Sequence, residues 1–290
     1  MNRIYHPSRT REILEQWNLM LKKSLGQNFL IDGNILENIA MEGEVGPGDV
    51  ILEVGPGIGS LTEELLLRGA YVRSIELDQR LYPVLEENLS SFERFQLIRG
   101  DATEKEIFEM GALGDGHMAQ KFIANLPYVV TAPLLERIFM SEAPFQRAVI
   151  MVQREVAKRM IAKPGDAEYS SLSVFVSYCS KAREAFTVKA GSFFPRPKVE
   201  STVVVLDTIQ KPTHVGEFMK VVHGAFGMRR KTVLNALSMG LDMAKDNVQS
   251  ILEEAEISPS ARAEELGLED FQRLYEKMTK EGSCYDSGIF

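Results

Sequence analysis

Between Val50 and Gln153 the chain alternates two patterns of apolar and polar positions. Short apolar runs rich in β-branched residues, "VILEVG", "YVRSIEL", "FQLIRGD", "KFIANL" and "AVIMVQ", have the length of strands. Stretches between them, such as "SLTEELLLRG" and "APLLERIFMS", repeat their apolar residues at helical spacing. The alternation predicts a parallel sheet with crossover helices, an α/β arrangement. Ahead of it, after a polar and Arg-rich lead-in, "KKSLGQNFLIDGNILENIAMEG" reads as a loop and then an amphipathic helix from about Asp32, capped by Asp32 or Asn34. Behind it, "AREAFTVKA" and "STVVVLDT" are joined by "GSFFPRPKVE", which is too poor in helical pattern for another crossover and so predicts a closing antiparallel pair. Past "QKPTHVGE" the strand signals stop, and "GEFMKVVHGAFG", "RKTVLNALSMGL", "DNVQSILEEAEI" and "LEDFQRLYEKM" predict helices. The expected organisation is a mostly parallel α/β domain with an antiparallel last strand over residues 1–210, then a small helical domain over 211–290 ending in a loose tail, "EGSCYDSGIF".

Length supports two units, since 290 residues exceed what one minimal core needs. With 44% hydrophobic and 26% charged residues the composition is that of a soluble globular protein, and no segment approaches the ~18 consecutive apolar residues of a membrane span. A cytoplasmic location is the expectation. Cys179 and Cys284 are far apart and in no C-x-x-C pair, which excludes a disulfide framework and a thiolate metal site. His6, His117, His214 and His223 lack metal-ligand spacing, so no metal is expected. A net charge of −8 weighs against coating nucleic acid through bulk charge and turns attention to local patches.

The richest chemistry lies where the first predicted strand runs into "PGIGSLTEEL". Gly55, Gly57 and Gly59 alternate there, as a chain must when its backbone turns tightly and lets a ligand approach closely. Ser60 and Glu63 have capping-box spacing for the helix that follows. Glu76 closes the second strand about 20 residues after Gly57, the spacing at which an acid accepts hydrogen bonds from ribose hydroxyls. Asp101, followed by Ala102, closes the third strand at the same sheet edge, where a carboxylate can take an adenine amino group. The loop is G-x-G-x-G and not the dinucleotide G-x-G-x-x-G, and two acids suit a cationic ligand. S-adenosylmethionine, a sulfonium, fits this set better than a pyrophosphate-bearing dinucleotide.

The order "EVGPGIG", "IELD", "GDA" and "NLPY" resembles class I methyltransferases that modify exocyclic amines. With "KKSLGQNFLID", "FFPRPKVESTVVVL" and "HGAFGMRRKTVLNAL" it is similar to the ribosomal RNA adenine dimethyltransferase family, from about Leu21 to Leu206 and on into the helical region. That resemblance implies a Rossmann-like sheet, S-adenosylmethionine as cofactor, and transfer of two methyl groups to each of two adjacent adenosines near the 3′ end of small-subunit ribosomal RNA. It further implies that Asn28 and Leu30 cover the methionine end of the cofactor, that Asn125 also touches the cofactor side, and that Phe193 faces the target base opposite Tyr128.

The tetrapeptide Asn125-Leu126-Pro127-Tyr128 makes chemical sense for such a reaction. An adenine amino group is a poor nucleophile because its lone pair is delocalised into the ring, so a general base has nothing useful to remove at the outset. Two carbonyl acceptors gripping its two hydrogens let the nitrogen pyramidalise and aim that lone pair. Asn125 offers one through its side chain, and Pro127 holds Leu126 extended so that its backbone carbonyl offers the other. Tyr128 supplies a ring on which an unstacked base can rest. In "FFPRP" the F-x-P-x-P register favours Phe193 over Phe194 for the facing ring.

Basic clusters flank these motifs despite the acidic total: Lys22 and Lys23; Arg154, Lys158 and Arg159; Lys181 and Arg183; Arg196 and Lys198; and Arg229, Arg230 and Lys231. Lys and Arg there can position an RNA backbone without reading its sequence. The expected partner is small-subunit ribosomal RNA in an immature 30S particle, met by a monomer with no membrane and no metal. Three alternatives stand beside it: a large-subunit ribosomal RNA adenine methyltransferase of the macrolide-resistance type, a DNA adenine methyltransferase, and a ribosome-assembly factor acting mainly by binding. The "FFPRPKVES" context disfavours the first, and the absence of Asp-Pro-Pro-Tyr and of a target-recognition region disfavours the second.

Overall fold

The structure, a computed structural model, describes residues 3–19, 27–114, 116–127, 130–143, 145–207, 213–228 and 230–280. Its strands are β1 (Phe29–Leu30), β2 (Val50–Val54), β3 (Tyr71–Glu76), β4 (Phe95–Arg99), β5 (Lys121–Asn125), β6 (Arg147–Gln153), β7 (Lys181–Val188), β8 (Phe193–Phe194) and β9 (Ser201–Asp207). Seven of them form one sheet in the order β4-β3-β2-β5-β6-β9-β7, and β1 pairs only with β8. All five residues of β2 are buried, as a strand covered on both faces requires, which is why it reads as an apolar run and does not alternate. β4, β3, β2, β5 and β6 pair in parallel; β9 runs antiparallel between β6 and β7. The strand order reverses between β2 and β5, the place where open α/β sheets leave a crevice beyond their carboxyl ends.

The helices of this part are α1 (Pro7–Gln16), α2 (Gly33–Glu42), α3 (Ser60–Leu67), α4 (Tyr82–Asn88), α5 (Lys105–Leu113) and α6 (Thr131–Met140). On one side of the sheet Leu36 and Ile39 of α2, Leu65 and Leu66 of α3, and Val84 and Leu85 of α4 share a buried cluster with Ile51 and Val72. Elsewhere Phe108, Phe122 and Phe145 meet with ring centroids 6.0 to 6.2 Å apart. α2 is capped by Asp32, whose carboxylate accepts the Asn34 N–H at 3.2 Å, resolving the sequence alternative in favour of Asp32. The polar lead-in contains a helix, α1, that buries only Thr10, Ile13 and Leu14.

At the amino ends of the strands charges are paired. Arg147 at the start of β6 bonds Asp207 (2.7 Å) and Glu44 (2.5 Å), Arg183 of β7 reaches Glu42 (2.7 Å), and Lys121 of β5 reaches Asp49 (2.7 Å). Burial alone would lower the Arg147 pKa, and the two carboxylates more than offset it.

The described residues divide into two compact units, one from residues 1–157 and 180–211, the other from 158–179 and 212–290. A linear division at residue 210 leaves 158–179 with the sheet; by its contacts that segment groups with the C-terminal helices. It includes the second half of α7 (Arg154–Ile161) and all of α8 (Ser171–Cys179); α9 (Val215–Phe226), α10 (Val233–Gly240), α11 (Lys245–Glu254) and α12 (Leu268–Lys280) complete the second unit. Val174 of α8 lies in one buried cluster with Phe218, Leu237, Ile251 and Phe271, and Tyr178 stacks on Phe218 at 4.1 Å, which is the physical reason for the grouping. No helix among the described residues is long and apolar enough to cross a membrane.

Candidate active site

The turn from β2 to α3 builds one end of a cleft. Gly55 and Gly57 take φ values of +71° and +62°, left-handed backbone that residues with a Cβ rarely adopt. A Cβ on Gly57 would sit 2.9 Å from the Phe29 ring, so space as well as conformation requires glycine there. The expected capping box does not form: Gly59, with φ of +96°, is the N-cap of α3 and makes no side-chain cap. Glu63 turns away to accept from Arg3 Nε (2.9 Å) and the Ile4 N–H (3.1 Å). That leaves the Ser60 hydroxyl, 5% exposed and on the cleft wall, buried without a hydrogen bond among the described residues. A buried orphan hydroxyl facing a cleft fits a polar ligand group.

Acids line the next stretch of wall. Glu76 ends β3 almost fully buried, accepts backbone N–H groups of Asp78, Gly57 and Leu77, and is pushed up to about 7 by burial. Glu53 of β2, which the sequence reading passed over, also lines the cleft. Its Oε2 accepts the hydroxyls of Thr62 and Ser74, each at 2.7 Å, and burial pushes its carboxyl up to about 7, with the nearby Glu76 charge adding to the effect. A charged residue inside a strand buried on both faces was the available signal. Asp78 is held well below the usual carboxylate range, at about 2, chiefly by hydrogen bonds from the Arg80 side chain, and it also accepts from Gln27 Nε2 at 2.8 Å. Asp101 uses Oδ1 for the Thr103 N–H (2.8 Å) and hydroxyl (2.7 Å), leaving Oδ2 without a partner among the described residues. Arg137 of α6 fixes the same loop through the Thr103 carbonyl at 2.9 Å. Leu77, half exposed between Glu76 and Asp78, gives the wall an apolar face that sequence reasoning also missed.

The opposite wall comes from β1 and from the end of β5. All the cofactor-binding candidates, from Asn28 and Leu30 through Gly55, Gly57, Glu76, Asp101 and Ala102 to Asn125, lie on this one cleft, as do Leu126 and Pro127. Asn125 Nδ2 points at the Asn28 carbonyl at 3.5 Å, the outer limit of a hydrogen bond. The Leu126 N–H donates to the Met151 carbonyl at 3.1 Å, which continues the β5–β6 ladder one residue past Asn125 and so fixes the tetrapeptide's direction. The Pro127 ring packs where a Gly55 Cβ would lie, at 3.4 Å. Tyr128 lies outside the described residues. Phe193 differs from expectation: its ring is 2% exposed, lies in the apolar core and is absent from the cleft wall, because β8 pairs with β1 so that Phe193 sits opposite the buried Leu30. Phe194, half-buried, is the more open ring. Among the described residues no three His, Cys, Asp or Glu side chains gather to hold a metal ion.

A nucleoside with a cationic substituent suits this arrangement. Carboxylates at the ends of β3 and β4 can accept from a ligand's hydroxyl and amino groups, and an acidic, partly apolar cavity tolerates positive charge.

A family model described as ribosomal RNA adenine dimethylase matches residues 18–280. The ribosomal RNA small subunit methyltransferase A of Pediococcus pentosaceus is 41% identical over 288 residues, spanning 96% of this chain and 97% of that protein. Its counterpart in Alkaliphilus oremlandii is 40% identical over 285 residues, 97% of this chain and 99% of that one. Among solved structures, a dimethyladenosine transferase from Plasmodium falciparum superposes with a TM-score of 0.75 at 26% identity, covering 88% of this chain and 98% of that one. The 23S rRNA methyltransferase ErmE gives 0.63 at 25% identity, covering 87% and 100%.

Proposed function

The chain belongs to the ribosomal RNA adenine dimethylase family, and from that premise we propose that it methylates the 6-amino groups of two adjacent adenosines near the 3′ end of small-subunit ribosomal RNA. The observation that carries the reading is the cleft lined by Glu76, Asp101 and Asn125, at the carboxyl ends of β3, β4 and β5 on either side of β2. The cofactor is S-adenosylmethionine, which when bound supplies a methyl group on a sulfonium centre whose leaving group is a neutral thioether. Glu76 would hold the ribose hydroxyls, Asp101 through Oδ2 and Ala102 the adenine, and Asn28 and Leu30 the methionine end, with Gly55 and Gly57 allowing close backbone approach. The orphan Ser60 hydroxyl and the ligand-free acceptor of Asp101 support the fit.

The protein's part in the reaction is positioning. Asn125, through its side-chain carbonyl, and Leu126, through its backbone carbonyl, accept the two hydrogens of the adenine amine, so that the nitrogen lone pair leaves the ring plane and points into the cleft. The amine proton leaves after the new C–N bond has formed, because only then is the nitrogen acidic. Tyr128 offers one stacking face for the extruded base. The second we assign to the β8 pair: the F-x-P-x-P register names Phe193, and the open ring in the folded chain is Phe194, so Phe193→Ala against Phe194→Ala in a transfer assay names the one that stacks.

The substrate would be an immature small subunit in the cytoplasm, met by a monomer through basic side chains such as Arg154, Lys158, Arg230 and Lys231, with the first unit carrying the chemistry. The relatives at about 40% identity carry the small-subunit name, whereas the large-subunit enzyme ErmE is 25% identical, which favours the small-subunit target. The test is to incubate the protein with labelled S-adenosylmethionine and under-methylated small subunits and map the label. Two adjacent dimethylated adenosines are expected; label on neither overturns the proposal.

A further inference from the structure

β1, which lines the cleft, and β8, which carries Phe193 and Phe194, form one ribbon. β1 and β8 pair antiparallel, with Phe29 opposite Phe194 and Leu30 opposite Phe193. A ladder of two pairs specifies its register weakly, and a slip of one residue would exchange the two phenylalanines between the core and the open side. Two further bonds pin it. The Ile31 N–H donates to the Ser192 carbonyl at 2.9 Å, and the Ser192 hydroxyl donates to Asp32 Oδ2 at 2.9 Å. Asp32 is itself fixed, because its Oδ1 caps α2 through the Asn34 N–H. At the other end of the same segment Gln27 is tied to the buried Asp78 beside Glu76, and the Asn28 carbonyl faces Asn125. Residues 27–32 thus run from the ribose acid to the strand that carries Phe193 and Phe194.

We infer that Ser192 and Asp32 are a positioning pair for methyl transfer: their hydrogen bond sets the register of β8 against β1 and so decides which phenylalanine ring meets the target base. The inference rests on the functional reading above. Neither residue touches the reacting atoms, and both act through β8.

The test compares wild type, Ser192→Ala and Ser192→Thr on under-methylated small subunits with labelled S-adenosylmethionine. Ser192→Ala should lower kcat about tenfold, the worth of one lost hydrogen bond expressed in the transition state. Its KM for the subunit, its cofactor Kd and its melting temperature should stay near wild type, and monomethylated adenosine should accumulate. Ser192→Thr keeps the hydroxyl and should restore kcat. If wild type labels the RNA and Ser192→Ala does so at an unchanged rate, the inference fails while the functional reading stands. It fails equally if cofactor affinity and melting temperature fall in step with kcat, since the pair is then merely structural. Wild type that labels no adenosine overturns the functional reading and this inference with it.

Discussion

The two edges of the central sheet handle charge in opposite ways. At the amino edge every cation named above has a carboxylate partner: Arg147 has Asp207 and Glu44, Arg183 has Glu42, and Lys121 has Asp49. At the carboxyl edge Glu53 and Glu76 are buried with hydrogen-bond donors and, among the described residues, no basic side chain, and both are pushed up to about 7. One edge is electrostatically finished and the other is left in deficit. A fold tolerates such a deficit where a ligand makes it good, so the difference separates a stabilising edge from a working one.

The largest expected break in that symmetry is Asn125→Ala. Removing one pre-aimed polar group from a reacting centre should slow methyl transfer about a hundredfold to a thousandfold, with subunit binding and melting temperature near wild type; a labelled-transfer assay beside a binding assay checks it. Next comes Glu76→Gln, which deletes a charged acceptor for hydroxyl donors and should weaken cofactor binding about tenfold to a hundredfold. Calorimetric titration reads that loss, and because the variant no longer ionises a buried carboxyl, the free protein should melt no lower at pH 8.

pH should then sharpen the contrast. Glu53 and Glu76 rise from 4.5 to about 7 on folding, so their contribution to stability is fully present below 4.5 and is lost as pH climbs through about 7. Cofactor affinity runs the other way: Glu76 accepts hydroxyls as a carboxylate, so binding should strengthen as pH rises through about 7 and level off above. Titrations near pH 6.5 in buffers of different ionisation enthalpy should show proton release on binding. The smallest effect belongs to the other edge. Arg147→Met should cost about 1–2 kcal/mol of stability by denaturant unfolding and leave kcat at 25 °C unchanged.

How far the site could be read in advance follows from how strongly each feature marks the chain. β2, β3, β5 and β6 were legible because burial on both faces turns them into largely apolar runs, β4 because Phe95, Leu97 and Ile98 fall close together at the sheet's more open edge, and Glu76, Asp101 and Asn125 because each ends such a run. β1 and β8 escaped notice because two residues have no period. α1 looked like a polar lead-in because only a thin stripe of three residues faces the core. α7 and α8 fell between stronger signals, and the capping box misled because Glu63 found a better partner in Arg3, some sixty positions away in the chain and therefore invisible to local pattern. Phe193 was placed by resemblance and by motif register, neither of which says which side of a two-residue strand the core claims.

The grouping of α8 with the C-terminal helices bears on how this chain is made. The helical unit is threaded twice: its first helix leaves the ribosome before β7, β8 and β9, and its last after all of them. Val174 and Tyr178 must therefore wait, their apolar sides uncovered, through the synthesis of the strands that finish the sheet, until Phe218 and Phe271 arrive. A chain cut after residue 211 would keep those waiting side chains and lose what covers them. Such a fragment should bind hydrophobic dyes and self-associate, and a protein lacking its C-terminal part would be expected to burden the cell's folding machinery.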